Sequence, residues 1–104
     1  MARYALKRTP IHPGEVLKED FLSPLGITQV ELAKALKTSF RTINEILNEK
    51  RSISPDMALR LSRYFGTTPD VWIGLQADHD LYWAKMKSKK TIDAIKPLQG
   101  KRAA

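Results

Sequence analysis

The sequence has no cysteine, which excludes disulfide bonds and thiolate metal sites. It also has no apolar run near the roughly 18 residues that span a bilayer, and no signal-peptide pattern opens it. We therefore expect a cytoplasmic protein that binds no membrane. The only histidines, His12 and His79, offer little from which to build a metal site. Because a glycine-rich phosphate loop and a Ser/His/Asp arrangement are also missing, we expect no cofactor and no enzyme.

What is present is a basic chain long enough for one small domain. Its 104 residues carry a net charge of +7, but the basic residues are unevenly placed. Positions 85–104 hold seven basic residues against a single acid, Asp93, whereas positions 1–84 hold eleven basic and ten acidic residues. Since the first 84 positions are nearly neutral, the net charge alone is weak evidence about what the folded part binds.

Cap residues and apolar spacing predict five helices and no strand, so the expected fold class is all-α. A good start signal precedes each helix, and Thr28 is followed three residues later by Glu31, the spacing of a capping box. The predicted starts lie at Pro13, Thr28, Ser39, Ser54 and Thr68. We divide the chain into an N-terminal arm (1–10), a helical domain (11–86) and a basic C-terminal tail (87–104).

The second and third helices, within about 28–48, have the spacing of a helix-turn-helix. Only three or four residues separate them, so they must cross steeply and leave the start of the third helix exposed along one edge. Such an edge fits the DNA major groove. Small Ala33 permits close packing, and Ile43 fixes the third helix against the second. Lys37 stands where such turns usually have glycine, so either its φ is positive, at roughly 1 kcal/mol, or the turn has another shape.

The side chains left pointing outward from the third helix can read bases. Arg41 can bind a guanine edge, Asn44 can pair with adenine, and Phe40 can touch a thymine methyl group. Glu45 can accept from cytosine N4, or can simply hold Arg41 one turn away. Helix N-termini and loop cations add phosphate contacts. The predicted DNA-binding set is Gln29, Lys37, Ser39, Phe40, Arg41, Thr42, Asn44, Glu45, Asn48, Lys50 and Arg51.

The last helix, predicted over about 69–86, carries two apolar stripes, whereas a helix capping a small domain needs one. We expect one stripe to pack on its own domain and the other to contact a second subunit. The alternative is that residues after about 88 fold back and cover it. The first stripe is Trp72, Leu75, Tyr82, Trp83 and Met86, and the predicted dimer contact is Ile73, Ala77, Leu81 and Ala84.

Four stretches, covering roughly residues 11–83, carry a resemblance to a known family. They are "HPGEVLKEDFL", "LGITQVELAKAL", "RTINEILNEKRSIS" and "DMALRLSRYFGTTPDVWIGLQADHDL". They resemble the lambda-repressor-like (XRE) helix-turn-helix superfamily and, within it, the HigA (VapI-like) antitoxins. The flanking "HPGE" and "FGTTPDVWIGLQADHDL" are more specific than the helix-turn-helix. Lys37 and Thr38 depart from the family pattern. The tail, 87–104, lies outside the pattern, and we expect it either to be disordered or to fold on a partner.

The resemblance implies a five-helix lambda-repressor-like domain and an antitoxin of a type II toxin–antitoxin module. Such a protein dimerises, binds double-stranded operator DNA in its own promoter, represses the operon and neutralises a RelE/HigB-like mRNA interferase toxin. Two alternatives stay open. One is a stand-alone transcriptional repressor without a toxin partner. The other is an interaction or RNA-binding module that works through its basic tail, with the helix-turn-helix as scaffold.

Overall fold

The computed structural model describes residues 10–99, and this part of the chain is all-α, as predicted, with no strand. Nearly all of the predicted arm lies outside the described residues, as do Lys101 and Arg102 of the predicted tail. Helix α1 has three consecutive segments, Pro13–Val16, Leu17–Leu22 and Ser23–Leu25. The helices after it are α2 (Gln29–Ala35), α3 (Phe40–Leu47), α4 (Pro55–Phe65), α5 (Pro69–Lys87) and α6 (Lys89–Ala94).

Two elements differ from the five predicted helices. The middle segment of α1 is π-helical, and the amide of Ser23 donates to the carbonyl of Lys18, five residues back. Helix α6 forms within the predicted tail, where Lys89 pairs with Asp93 one turn later at 3.0 Å. The sequence analysis placed no helix there because the tail lies outside the family motif. Part of the predicted tail is therefore helical.

Local caps explain where most helices begin. Thr28 Oγ1 accepts from the amide of Glu31 at 3.1 Å, and the Glu31 carboxylate accepts from the amide of Thr28 at 2.8 Å, which confirms the capping box. The hydrogen bond from the Thr28 amide also lowers the pKa of Glu31. Ser54 caps α4 by accepting from the amide of Met57. Thr68 precedes α5 as predicted, but its side chain makes no cap hydrogen bond.

The core lies between α1, α2, α3, α4 and the first turns of α5. Trp72 is fully buried, and its indole N–H donates to Thr67 Oγ1 at 2.9 Å, so the ring is inside with its polar atom satisfied. The Phe21 ring stacks on Trp72 and Phe65. The fully buried aliphatic residues are Val16, Leu17, Leu32, Ile43, Ile46, Ala58 and Leu61. This core holds α2 and α3 at the crossing on which the site depends.

Candidate nucleic-acid interface

The turn between α2 and α3 closes on a left-handed backbone at Lys37. The amide of Thr38 donates to the carbonyl of Ala33 at 2.9 Å, and the amide of Lys37 donates to that of Lys34 at 3.1 Å. This pair of bonds ends many helices on a glycine. Lys37 has a φ of 56°, so the first of the two alternatives for this turn is correct. The turn keeps the shape that glycine favours although a side chain is present.

Arg60 of α4 caps the C-terminal end of α2. Its Nη1 donates to the carbonyls of Leu36 at 2.9 Å and Lys37 at 2.8 Å, and its Nε lies 2.9 Å from Asp56. A cation at this end of a helix is favoured by the dipole and satisfies carbonyls that have no intrahelical partner. The sequence analysis missed Arg60, because the contact joins residues 23 and 24 positions apart and has no local signal.

The first turn of α3 is organised by Ser39. Its Oγ accepts from the amide of Thr42 at 3.0 Å and lies 2.8 Å from Thr42 Oγ1, so both hydroxyls take part in the cap. Phe40 is half-exposed on this turn. The predicted edge of α3 is thus present, with its first residues facing solvent and Ile43 fully buried behind them.

A carboxylate between two guanidinium groups occupies the middle of that edge. Arg41 Nε donates to Glu45 Oε2 at 3.0 Å, and Arg51 donates to Glu45 Oε1 from Nε at 2.9 Å and from Nη2 at 2.6 Å. The hydrogen bonds from Arg41 and then Arg51 lower the pKa of Glu45. The contact foreseen between Glu45 and Arg41 is therefore present. The contact with Arg51 was not predicted.

A second chain of hydrogen bonds orients Asn44. Its Nδ2 donates to Gln29 Oε1 at 3.0 Å, across the two helices. Its Oδ1 accepts from Asn48 Nδ2 at 3.1 Å, and Asn48 also donates to the Asn44 carbonyl. One N–H and one lone pair of the Asn44 amide remain for a ligand. Gln29 and Asn48 therefore help to set the orientation of Asn44.

The loop after α3 carries exposed Lys50 and Arg51 and is tied down from two sides. Glu49 has a φ of 61°, and the amide of Lys50 donates to the Glu45 carbonyl at 2.8 Å. Farther along, the amide of Ile53 donates to Oε1 of buried Gln76 at 2.7 Å. The sequence analysis did not single out Glu49 or Gln76. A polar residue among the apolar positions of α5 was the only available signal for Gln76.

The start of α1 packs directly on the end of α3. Gly14 approaches so closely that a Cβ there would collide with the carbonyl oxygen of Ile46. The amide of Gly14 donates to Nδ1 of buried His12 at 2.8 Å. The His12 ring meets His79 edge to face, with centroids 4.8 Å apart, and burial followed by His79 lowers the pKa of His12. These contacts explain two residues of the motif "HPGE". His12 is the buried cap of α1, and Gly14 stands where no side chain fits.

The predicted dimer residues form an uncovered face on α5. Ile73 is 36% exposed and Leu81 is 62% exposed, and both Ala77 and Ala84 are exposed. Within residues 10–99, helix α6 leaves this face exposed. The opposite stripe is buried at its start, where Trp72 lies in the core, whereas Trp83 and Met86 nearer its end are exposed.

Residues 10–99 can be compared with the geometry of metal clusters and of membrane-spanning helices. This part of the chain contains no cluster of three or more His, Asp or Glu side chains placed to hold a metal ion. None of its helices combines the length and apolar character needed to cross a bilayer.

Comparison with known proteins adds a family and several relatives. The family HTH_3, described as helix-turn-helix, matches residues 17–72. Virulence-associated protein I of Dichelobacter nodosus is 48% identical over 88 residues, covering 85% of this chain and 81% of that protein. Antitoxin HigA-1 of Vibrio cholerae serotype O1 is 34% identical over 92 residues, covering 88% and 87%.

A solved structure shares both fold and sequence with this chain. It is that of the Pseudomonas aeruginosa antitoxin HigA with the higBA promoter, with a TM-score of 0.82 and 47% identity. The alignment covers 86% of this chain and 98% of that one. The similarity extends over nearly the whole of that protein, well beyond the helix-turn-helix.

Proposed function

Because this chain belongs to the helix-turn-helix family HTH_3, we propose that it is a DNA-binding antitoxin of the HigA kind, which represses its own operon. It is a regulator and not an enzyme, and it acts in the cytoplasm. The observation that carries the proposal is the exposed edge of α3, on which Arg41 and Asn44 are held by neighbouring side chains. Its similarity to antitoxins, one of them solved with promoter DNA, supports the same conclusion.

On this proposal the α3 edge enters the major groove of double-stranded operator DNA. Arg41 reads a guanine, Asn44 reads an adenine, and Phe40 contacts a thymine methyl group. Gln29, Ser39, Thr42 and Asn48 orient these readers or contact the sugar–phosphate backbone. Lys37, Lys50 and Arg51 contact phosphates, which contributes affinity with little sequence preference.

Two matched substitutions test the DNA-reading role. We expect Arg41→Ala to weaken operator binding by about 1–3 kcal/mol while changing affinity for a scrambled duplex far less. Lys50→Ala should instead weaken binding to both duplexes alike, because it removes a phosphate contact only. Fluorescence anisotropy with duplexes from the protein's own promoter region measures both affinities. Unchanged discrimination in Arg41→Ala would show that α3 is not the recognition helix.

We also propose a dimer joined through the face of Ile73, Ala77, Leu81 and Ala84. Two copies then present two α3 helices to an inverted repeat, with half-sites about one helical turn, or roughly 34 Å, apart. DNase footprinting of the promoter gives the length and symmetry of the site. A single unrepeated half-site would contradict the dimeric reading.

The antitoxin role requires a toxin, which we propose to be a RelE/HigB-like mRNA interferase encoded beside this chain. Co-expression with the adjacent reading frame, followed by co-purification and a growth assay, tests this directly. If the neighbour neither binds nor inhibits growth while operator binding persists, the protein is a stand-alone repressor. The stand-alone alternative is supported by similarity to an uncharacterised HTH-type transcriptional regulator of Haemophilus influenzae.

The proposed DNA-binding unit is 11–86, with 87–104 as an accessory tail although α6 lies within it. Deleting 88–104 separates this division from a nucleic-acid-binding module that works through its tail. We expect the truncated protein to keep operator discrimination, since the α3 edge is intact. Loss of all nucleic-acid affinity on truncation would favour the tail as the binding element.

A further inference from the structure

The contacts of Glu45 divide its two arginines into different roles. Glu45 is the more enclosed partner, with 26% of its side chain exposed, against 83% for Arg41 and 47% for Arg51. Arg41 gives only Nε to the carboxylate, whereas Arg51 gives both Nε and Nη2. Both guanidinium groups keep their end-on Nη pair, but the side chain of Arg41 is the more exposed of the two.

A guanidinium can grip a guanine with two parallel N–H groups, either from its Nε–Nη2 side or from its two Nη groups at the end. With Nε on Glu45, Arg41 keeps the end-on pair, and its side chain is 83% exposed on α3. Arg51 has its Nε–Nη2 side on Glu45 Oε1 and also keeps an end-on pair, but it lies in the loop after α3 and is less exposed. The geometry favours Arg41 as the base reader.

Electrostatics indicates that Glu45 serves discrimination more than affinity. A carboxylate on a surface that meets phosphates opposes binding, because it neutralises one of its two neighbouring cations. Held in place, Arg41 also loses less conformational freedom when it binds.

We propose that Glu45 is a positioning residue, which holds Arg41 by Nε and so directs its Nη pair to one guanine. This inference rests on the proposed DNA-reading function and specifies its target further. Arg41 and Asn44 are three residues apart on α3, a rise of about 4.5 Å, close to the roughly 3.4 Å between stacked bases. The half-site should therefore contain a guanine and an adenine at neighbouring base pairs.

The test replaces guanines of the footprinted promoter duplex, one at a time, with 7-deazaguanine, which lacks the N7 acceptor. For the wild-type chain, one guanine in each half-site should lower affinity about tenfold when replaced, as the loss of a bidentate base contact does. In Glu45→Gln the penalty at that guanine should shrink to within about twofold. The same variant should bind a scrambled duplex more tightly. The slope of its log affinity against log salt concentration should become steeper by about one unit, because one more cation is free to neutralise a phosphate.

Glu19→Gln is the matched control, because it removes the same charge from an exposed position on α1. It should leave the guanine penalty unchanged, and thermal unfolding verifies that both variants are folded. An unchanged guanine penalty in Glu45→Gln overturns the positioning role alone, since the wild type still reads the operator. A wild-type chain that fails to distinguish the promoter from a scrambled duplex overturns the proposed function itself.

Discussion

Lys37 is a lysine in a backbone conformation that glycine adopts without strain. Its φ of 56° places Cβ close to the following carbonyl, which costs roughly 1–2 kcal/mol for a residue other than glycine. Its amide and that of Thr38 are both hydrogen-bonded, so the turn retains the closure of a glycine turn. The lysine is exposed beside the proposed groove-binding edge, where its charge favours contact with a phosphate.

We therefore expect Lys37→Gly to raise the free energy of unfolding by about 0.5–1 kcal/mol, because the strain is relieved while the flexible glycine stabilises the unfolded chain. The same change should weaken binding to operator and scrambled duplexes alike. Urea unfolding and anisotropy measure the two effects. Glu49→Gly is the control, since Glu49 has the same left-handed backbone but carries no positive charge. A Lys37→Gly variant with a lower free energy of unfolding than the wild type would contradict backbone strain at Lys37.

At the scale of elements, α2 ends on a cap that comes from α4. Arg60 donates to two carbonyls at the end of α2, and both would otherwise depend on water. We expect Arg60→Ala to lower the free energy of unfolding by about 1–2 kcal/mol through loss of these charge-assisted bonds. Exposed Arg63 on the same helix provides the comparison, and Arg63→Ala should change stability by less than about 0.5 kcal/mol. If Arg60→Ala and Arg63→Ala lowered the free energy of unfolding equally, Arg60 would not be a cap of α2.

The junction of α1, α3 and α5 should make stability depend on pH. His12 accepts a hydrogen bond at Nδ1 and so must be neutral, and its pKa in the folded protein is lowered from 6.5 by burial and by His79, against the opposing effects of Glu49 and Asp80. The folded state then binds fewer protons than the unfolded chain. The stabilisation that neutral His12 gives to the folded state is complete above pH 6.5. It is lost as the pH falls below 6.5 and through the pKa of His12 in the folded protein.

Urea unfolding near pH 7.5 and near pH 5.5 measures this dependence. We expect the free energy of unfolding to fall between the two by at most about 1.4 kcal/mol, because pH 5.5 lies only one unit below 6.5. His12→Asn keeps a residue able to cap α1 but removes the titrating ring, so its decrease should be smaller. Equal decreases in the two proteins would assign the pH dependence to other groups.

For the whole molecule, we expect the exposed face of α5 to determine how many copies act together. Leu81 is 62% exposed in the single chain, so a charge there should leave the fold intact. We expect Leu81→Asp to convert a dimer into monomers in sedimentation experiments and to weaken operator binding, because two linked α3 helices bind with higher effective concentration than one. Leu59→Asp is matched, as Leu59 is 58% exposed on α4, and it should leave the dimer unchanged. A dimeric Leu81→Asp variant would place the contact elsewhere.

Much of the fold was predictable because its signals are local. The capping box at Thr28, the Ser39 and Ser54 caps and the exposed edge of α3 follow from residues within one turn of each other. The pairing of Arg41 with Glu45 was foreseen for the same reason. Side chains acting over long separations were missed, notably Arg60 and Gln76, because nothing adjacent in the chain specifies their partners.

By itself, the sequence determined the all-α class, the helix starts and the residue types on the α3 edge, since these depend on backbone caps and a 3.6-residue period. Only the tertiary structure decided how those residues are used. It brought Arg51 to Glu45, Gln29 to Asn44 and Arg60 to the strained turn at Lys37, and it left Leu81 uncovered. Such contacts depend on the angle and distance at which packed helices meet, which the shape of the whole core determines.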